Sequence, residues 1–400
     1  MPTLSPSLIL QKTLDAYTVL FPYMGKFGTD FSSEAPLLHN QTVTAHIRIK
    51  PTKSTYDGTT GYANGATESR DLLIDMPILV DSHEHVPVKL SHLYAIADQK
   101  DSFSGSLADC AEVLGKSQVD SITNKFKGSN VSYSQTATEA NSDLDVIAQL
   151  TTDMNINRAN PRGRVGLINS NVAQTLQLDT RVSSKDYYGQ LAGGSGLRMF
   201  RNIGGFEALY EYPELSLNNA ATQTFTAATT DIITAVAHGY LTGDRVRVSS
   251  GTTLPAGLAA ATTYYVIKLT ADTFKLATTD ALATAGTAVD ITDTGTGTHS
   301  VVGYENVTGI FWEPQAIAFR AGIPSSSHEQ AAALGIPVTM AMDVLKAPNS
   351  GFALALMKWM QPGTANVFVS PTSIWGSAVG RQGGAAAYLT DRSAIILRSA

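Results

Sequence analysis

The sequence predicts an α+β fold carrying an inserted all-β domain. Three observations point there. Residues Gln41 to Ser91 alternate in the way of a long β-hairpin. Two amphipathic stretches, roughly Gly105 to Lys127 and Thr138 to Met154, have helical spacing. Between them and the C-terminus, about Asn219 to Val302 turns threonine-rich, contains no glutamate and reads as short strands.

The hairpin opens with Val43, Ala45, Ile47 and Ile49, which recur every second residue and so share one face of a strand. Pro51 to Thr67 forms a polar, glycine-bearing tip, and the chain returns through Leu72 to Leu90, alternating again at Val86, Val88 and Leu90. A two-stranded hairpin is marginal in water, so this one must lie on its own domain or on a neighbouring subunit.

Before it, Leu8 to Val19 carries Leu10, Leu14 and Tyr17 at helical spacing, and Pro22, Gly25, Gly28 and Pro36 then break regularity. The segment reads as an arm that adds little to its own core. After the hairpin, Leu107, Ala111, Leu114, Ile122 and Phe126 predict one long helix, stopped by Gly128-Ser-Asn. The second helix buries Leu144, Ile147, Ala148 and Leu150, with Thr138 and Asn141 as N-cap candidates. Arg162 to Asn169 predicts a strand, Asn171 to Leu178 a short helix capped by Ser170 or Asn171, and Gly204 to Pro213 a strand with glycines at its start.

Within the threonine-rich stretch, strands are expected at Asp231–Val236, Arg245–Ser249, Tyr264–Leu269, Thr273–Ala277, Val289–Thr292 and Thr298–Val302. Strands at this spacing without a helix pattern predict a small sandwich or barrel. An α/β pattern resumes at Gly309, so the module is an insertion into a host domain. Further strands are expected at Val338–Leu345, Phe352–Met360, Asn366–Val369 and Ala394–Leu397.

Composition narrows the function. The chain has 400 residues, 43% apolar and only 16% charged, with small residues filling the difference. Such a surface suits packing against other proteins. The net charge of −6 gives no basic footprint for nucleic acid. The single Cys110 excludes an intrachain disulfide and a cysteine-rich zinc site. Met1 to Leu10 lacks a signal-peptide pattern, and no apolar run is long enough to span a bilayer, so a soluble chain made in the cytoplasm is expected.

Few constellations suggest chemistry. His83 and His85 stand at i, i+2 on one strand face and could share a metal, as at the opening of metal-dependent amidohydrolases. Such a site needs further histidines and an aspartate at later strand ends of a (β/α)8 barrel, and none of the other histidines sits at the end of a β/α repeat. Polar residues on a hairpin's contact face are the simpler reading. Gly193-Gly-Ser-Gly196 and Gly204-Gly205 lack a phosphate-loop context. Asp143 and Asp145 read as solvated, Cys110 as a small buried residue, and Trp312, Trp359 and Trp375 as core or interface anchors. Arg158, Arg162 and Arg164 form a local basic cluster suited to a subunit salt contact. No catalytic set emerges, and no cofactor or metal is expected.

The order of elements resembles the major capsid (coat) protein of tailed bacteriophages, the Hong Kong 97 type. Leu79 to Leu90 is similar to the returning strand of that family's extended loop, Ile203 to Leu215 to the strand before the insertion in podophage-type coats, and Gly309 to Phe319 to the segment after it. Ala237 to Val246 and Thr263 to Ile267 are similar to an immunoglobulin-like add-on of phage structural proteins. The resemblance implies an N-terminal arm (1–40), an extended hairpin loop (41–92), a peripheral domain with a spine helix (93–136) and an axial domain (137–218 and 304–400). The latter is interrupted by an immunoglobulin-like β domain (219–303).

The resemblance further implies self-assembly into hexamers and pentamers of a virion shell, with scaffolding and portal proteins as partners. Double-stranded DNA would be enclosed without sequence-specific binding, and no membrane is involved. The inter-subunit contact candidates are His46, Arg48, Lys50, Lys53, Arg70, His83, His85, Arg158, Arg162 and Arg164. Some family members crosslink through a loop lysine. Lys50 and Lys53 are placed for that, but no asparagine or carboxylate partner can be matched. The alternatives are an encapsulin-like compartment, a tail or adhesin protein that binds through the β module, and the metal hydrolase at His83 and His85.

Overall fold

The computed structural model describes residues 13, 15, 20–27, 39–48, 58–59, 73–89, 100–128, 130–131, 133–157, 159–183, 199–213, 215, 222–314, 316–322, 341–346, 353–360, 367–378 and 394–399. In chain order, β1 (Gln41–Arg48) and β2 (Leu73–Val80) are followed by β3 (Ser82–His85), β4 (Val88–Lys89) and α1 (Lys100–Thr123). Next come β5 (Ser134–Ala137), α2 (Leu144–Ile156), β6 (Val165–Ile168), α3 (Ser170–Leu178), β7 (Met199–Ile203) and β8 (Phe206–Glu211). The threonine-rich stretch holds β9 (Gln223–Ala227), β10 (Ile233–Thr234), β11 (Arg245–Ser250), β12 (Thr263–Lys268), β13 (Thr273–Ala277), α4 (Asp280–Ala285) and β14 (His299–Gly303). The chain closes with β15 (Val307–Trp312), β16 (Ala318–Gly322), β17 (Ala341–Lys346), β18 (Ala353–Met360), β19 (Val367–Ala378) and β20 (Ala394–Ser399). The fold is α+β and divides into two compact units, Met1–Thr123 with Pro314–Val379, and Asn124–Glu313 with Gly380–Ala400.

The first unit is organised on β19. One edge of this long strand pairs with β18, which pairs with β17, while β4, β3 and β16 also pair with it. The hairpin is antiparallel, in register from Gln41 with Val80 to Arg48 with Leu73. That register pairs Val43 with Ile78 and Ala45 with Met76, which puts the alternating apolar residues on one face. Ala45, Met76 and Ile78 pack against Ala318 and Ala378, and Val80 packs against Ile374. The base of the hairpin therefore lies on its own unit. The expected tip, Pro51 to Thr67, falls outside the described residues apart from 58 and 59.

Helix α1 buries Cys110, Ala111, Leu114, Val119 and Ile122, a stripe at helical spacing. Its inner face is also polar: Gln118 Nε2 donates to Ser373 Oγ on β19 at 3.1 Å. The helix ends at Thr123, a few residues earlier than Phe126 suggested. Most of the expected arm lies outside the described residues. Phe21, Tyr23, Met24 and Phe27 are buried around a 3-10 turn, so this part of it adds to the core where a loose arm was expected.

The second unit has a sheet in the order β5-β20-β15-β6-β8-β7. α2 and α3 supply Ile147, Leu150, Val172 and Leu176 to a core shared with Phe206, Phe311, Ile395 and Leu397. The caps are not the expected ones. Asp143 accepts from the backbone N–H of Asp145 and Val146 to start α2, and Asn169 accepts from that of Val172 at 2.9 Å to start α3. Gly204 and Gly205, at φ 53° and 90°, are the turn between β7 and β8 and not the start of one strand.

The strands of the threonine-rich stretch close into one barrel, in the order β10-β13-β12-β11-β14-β9. Of the sandwich and the barrel expected for this stretch, the closed order is that of a barrel. Its core includes Phe225, Val246, Val266, Phe274, Leu276 and Val301. Residues 289–292 form no strand; Val289 and Ile291 are held singly, by Leu276 O and Asp231 Oδ1. The unexpected helix α4 is capped by Thr279 and ends at Gly286 with φ 77°.

Candidate contact surfaces

The return from the hairpin places His83 and His85 on β3, opposite Ile374 and Thr372 of β19. Both imidazoles are exposed. His83 Nε2 lies 3.2 Å from Thr372 Oγ1, and that hydroxyl donates to Glu84 O at 2.9 Å. His39 Nε2 meets Asp81 O at 3.0 Å at the same end of the hairpin. Partial burial, and then the neighbouring His85 and His39, hold the His83 pKa below the ordinary histidine value. The neutral form is thus favoured at His83. Among the described residues no group of three or more His, Cys, Asp or Glu is arranged to hold a metal ion.

His46 and Arg48 sit on β1 at the register positions opposite Asp75 and Leu73. Lys50, Lys53, Arg70 and Arg158 lie outside the described residues. Arg162 is exposed on the turn before β6. Arg164, two residues on, is 1% exposed. Its Nε donates to Asn160 O at 2.8 Å and its Nη2 to Ala159 O at 2.7 Å. Burial pulls its pKa down, and Glu313 opposes that. Arg164 thus ties down its own loop, and its guanidinium is not offered to a neighbour.

The cluster that spacing did not reveal is centred on Arg181. Its Nη1 reaches Asp145 Oδ1 at 2.7 Å and its Nη2 reaches Asp179 Oδ2 at 2.9 Å, with Asp143 Oδ2 at 3.6 Å. The side-chain hydrogen bond from Arg181 is the main reason the Asp179 carboxyl stays below its usual range. Asp143 and Asp145, read as solvated from the sequence, are paired. The partners are 36 residues apart or more for α2, so only folding brings them together.

Other candidates resolve as structural. Cys110 is buried, and burial, helped by Asp109, pushes its pKa up to about 11; a thiol held protonated is a poor nucleophile. Trp312 and Trp375 are fully buried. Gly193 to Gly196 lie outside the described residues. Among the described residues no helix is long and apolar enough to cross a membrane.

No family model matches the chain and no curated protein matches it. Among solved structures it is similar to the capsid of cyanophage P-SCSP1u, at 12% identity over 93% of this chain and 87% of that chain, with a TM-score of 0.44. It is similar to the capsid of Ralstonia phage GP4, at 10% identity over 94% and 89%, with a TM-score of 0.43. The structure from Mycobacterium phage Che8 follows at 12% identity over 89% and 84%, with a TM-score of 0.38. Likenesses this loose name neighbours without assigning a role.

Proposed function

We propose that this chain is the major coat protein of a tailed bacteriophage, of the Hong Kong 97 type, and that copies of it form hexamers and pentamers of an icosahedral shell. The way the hairpin is rooted carries the reading. Its base is fixed by an eight-pair ladder and an apolar face on β16 and β19, and residues 49–72 intervene between the paired ends. A polar excursion on a base held this firmly is suited to reach across a neighbouring subunit. The order of elements supports the same reading: rooted hairpin, helix α1, α/β unit, inserted barrel, α/β unit again.

In this reading His46, Arg48, Lys50, Lys53, Arg70, His83, His85, Arg158 and Arg162 make inter-subunit contacts, each weak and repeated over a closed symmetric surface. Scaffolding and portal proteins guide closure in the host cytoplasm, and the shell contains double-stranded DNA without reading it. The test is negative-stain electron microscopy of the full chain expressed alone and with its neighbouring genes. Closed particles or sheets of hexamers are expected. Deleting Pro51 to Thr67 is expected to leave a folded subunit unable to close shells. A monodisperse small oligomer in both expressions, or normal particles from the deletion, would overturn the proposal.

A further inference from the structure

The barrel joins its host through Tyr304, Glu305 and Asn306, between β14 and β15. Such a short junction could be a free hinge, but its middle residue is only 6% exposed. The Glu305 carboxylate gathers donors from three separate parts of the second unit. Oε1 accepts the backbone N–H of Arg245, at the start of barrel strand β11, at 2.8 Å. Oε2 accepts the N–H of Gly128 at 3.2 Å and pairs with Arg398 Nη1 on host strand β20. The same Nη1 donates to the Glu305 carbonyl oxygen at 2.7 Å.

The flanking residues are bound as closely. Tyr304 N–H donates to Arg245 O at 2.7 Å, and the Tyr304 ring lies 3.4 Å from the Arg247 guanidinium carbon. Asn306 exchanges two hydrogen bonds of 3.0 Å with the backbone of Ser399 on β20, one through its side chain and one through its carbonyl. Gly128 abuts the barrel turn so closely that a Cβ there would strike the backbone of Gly243.

We infer that Glu305 is a latch: a single buried carboxylate that fixes the barrel to the host sheet, so that the two move as one rigid body. The barrel is then a strut held at a set angle and not a tethered module free to swing. A buried carboxylate bridging three elements specifies one arrangement, because every alternative leaves Arg398 or a backbone N–H buried without an acceptor. The inference does not depend on the shell reading, since it concerns a single subunit.

Spin labels at Ala148→Cys on α2, a residue expected to face inward but exposed, and at the exposed Thr284→Cys on α4, in a Cys110→Ala background of the full chain, test it by electron–electron distance measurement. The latched chain is expected to give one narrow distance distribution. Glu305→Ala is expected to widen it at least about twofold, and Glu305→Gln, which keeps one acceptor oxygen but turns its NH2 toward a donor, to widen it less. Gly128→Ala leaves the carboxylate in place and pushes Gly243 away, so it is expected to widen the distribution even if Glu305→Ala fails to fold. A broad distribution in the chain with Glu305 and Gly128 intact would overturn the inference, as would unchanged widths in the substituted chains that fold.

Discussion

At Gly376 the hairpin backbone lies close against β19, and Gly376→Ala measures whether that approach is as tight as it stands. A methyl added there would strike the Leu79 carbonyl oxygen and lie 2.8 Å from the Leu79 carbonyl carbon and 2.9 Å from Val80 Cα. Both are backbone atoms of β2 or its end, so no side-chain rotation relieves the contact. Favourable carbon contacts begin near ~3.5 Å, so β2 must lift by at least about 0.6 Å, and by more to clear the Leu79 oxygen, from a face where Ile78 and Val80 are fully buried. Overpacking of this kind costs about 1–3 kcal/mol, more than the roughly 0.5–1 kcal/mol that alanine gains over glycine within a strand. The assay is hydrogen exchange of backbone amides in the peptides covering residues 73–85 and 367–378. With the alanine gain taken off the cost, and at tenfold per ~1.4 kcal/mol, exchange there is expected to rise from several-fold to roughly 60-fold. Gly251→Ala is the control, because the nearest atom to its Cβ, Thr298 O, is 3.9 Å away. Unchanged protection in Gly376→Ala would refute the packing of the hairpin base on β19.

The pH dependence follows from His83. Its folded pKa is lowered, so the unfolded chain binds more protons as pH falls through the ordinary histidine range. Stability is complete above that range, declines as pH drops through it and levels off below the lowered value. Melting temperature against pH is expected to show this slope, and His83→Gln to flatten it; equal slopes would remove His83 as the cause. Asn169→Ala is expected to cost about 1–2 kcal/mol through loss of the α3 cap, read by urea unfolding, with Asn169→Asp keeping most of the stability. Cys110 is expected to resist a maleimide at neutral pH in the native chain and to react fully in denaturant. Rapid native labelling would contradict its burial and raised pKa.

The hairpin was legible because its signal is local. Val43, Ala45 and Ile47 alternate and mark the first arm, but the return was read too long: the ladder ends at Val80, and the segment with Val88 pairs with β19. The helix starts were misplaced for an equally local reason. Several cap-capable residues stand in a row at Asn169-Ser-Asn171, and the backbone, not the residue type, chooses among them. Helix α4 did have a signal, with Thr279-Asp280 at its start and Gly286 at its end, but six residues are too few for periodicity to show. The Arg181 cluster, the burial of Arg164 and the Glu305 latch were not legible. Each depends on groups brought from distant parts of the chain, and an exposed arginine and a buried one look the same in a sequence.

Strand β19 also sets the timetable of folding. His83 and Thr372 touch across 289 residues of sequence. Made in order at about 5–20 residues per second, β2 and β3 emerge roughly 15–60 s before the strand that receives them. Throughout that interval Met76, Ile78 and Val80 present an apolar ribbon with nothing to cover it. Synthesis of this protein therefore leaves each nascent chain a sticky edge for most of its time on the ribosome. Where many such chains are made together, this ribbon is the part of the nascent molecule most exposed to misassociation.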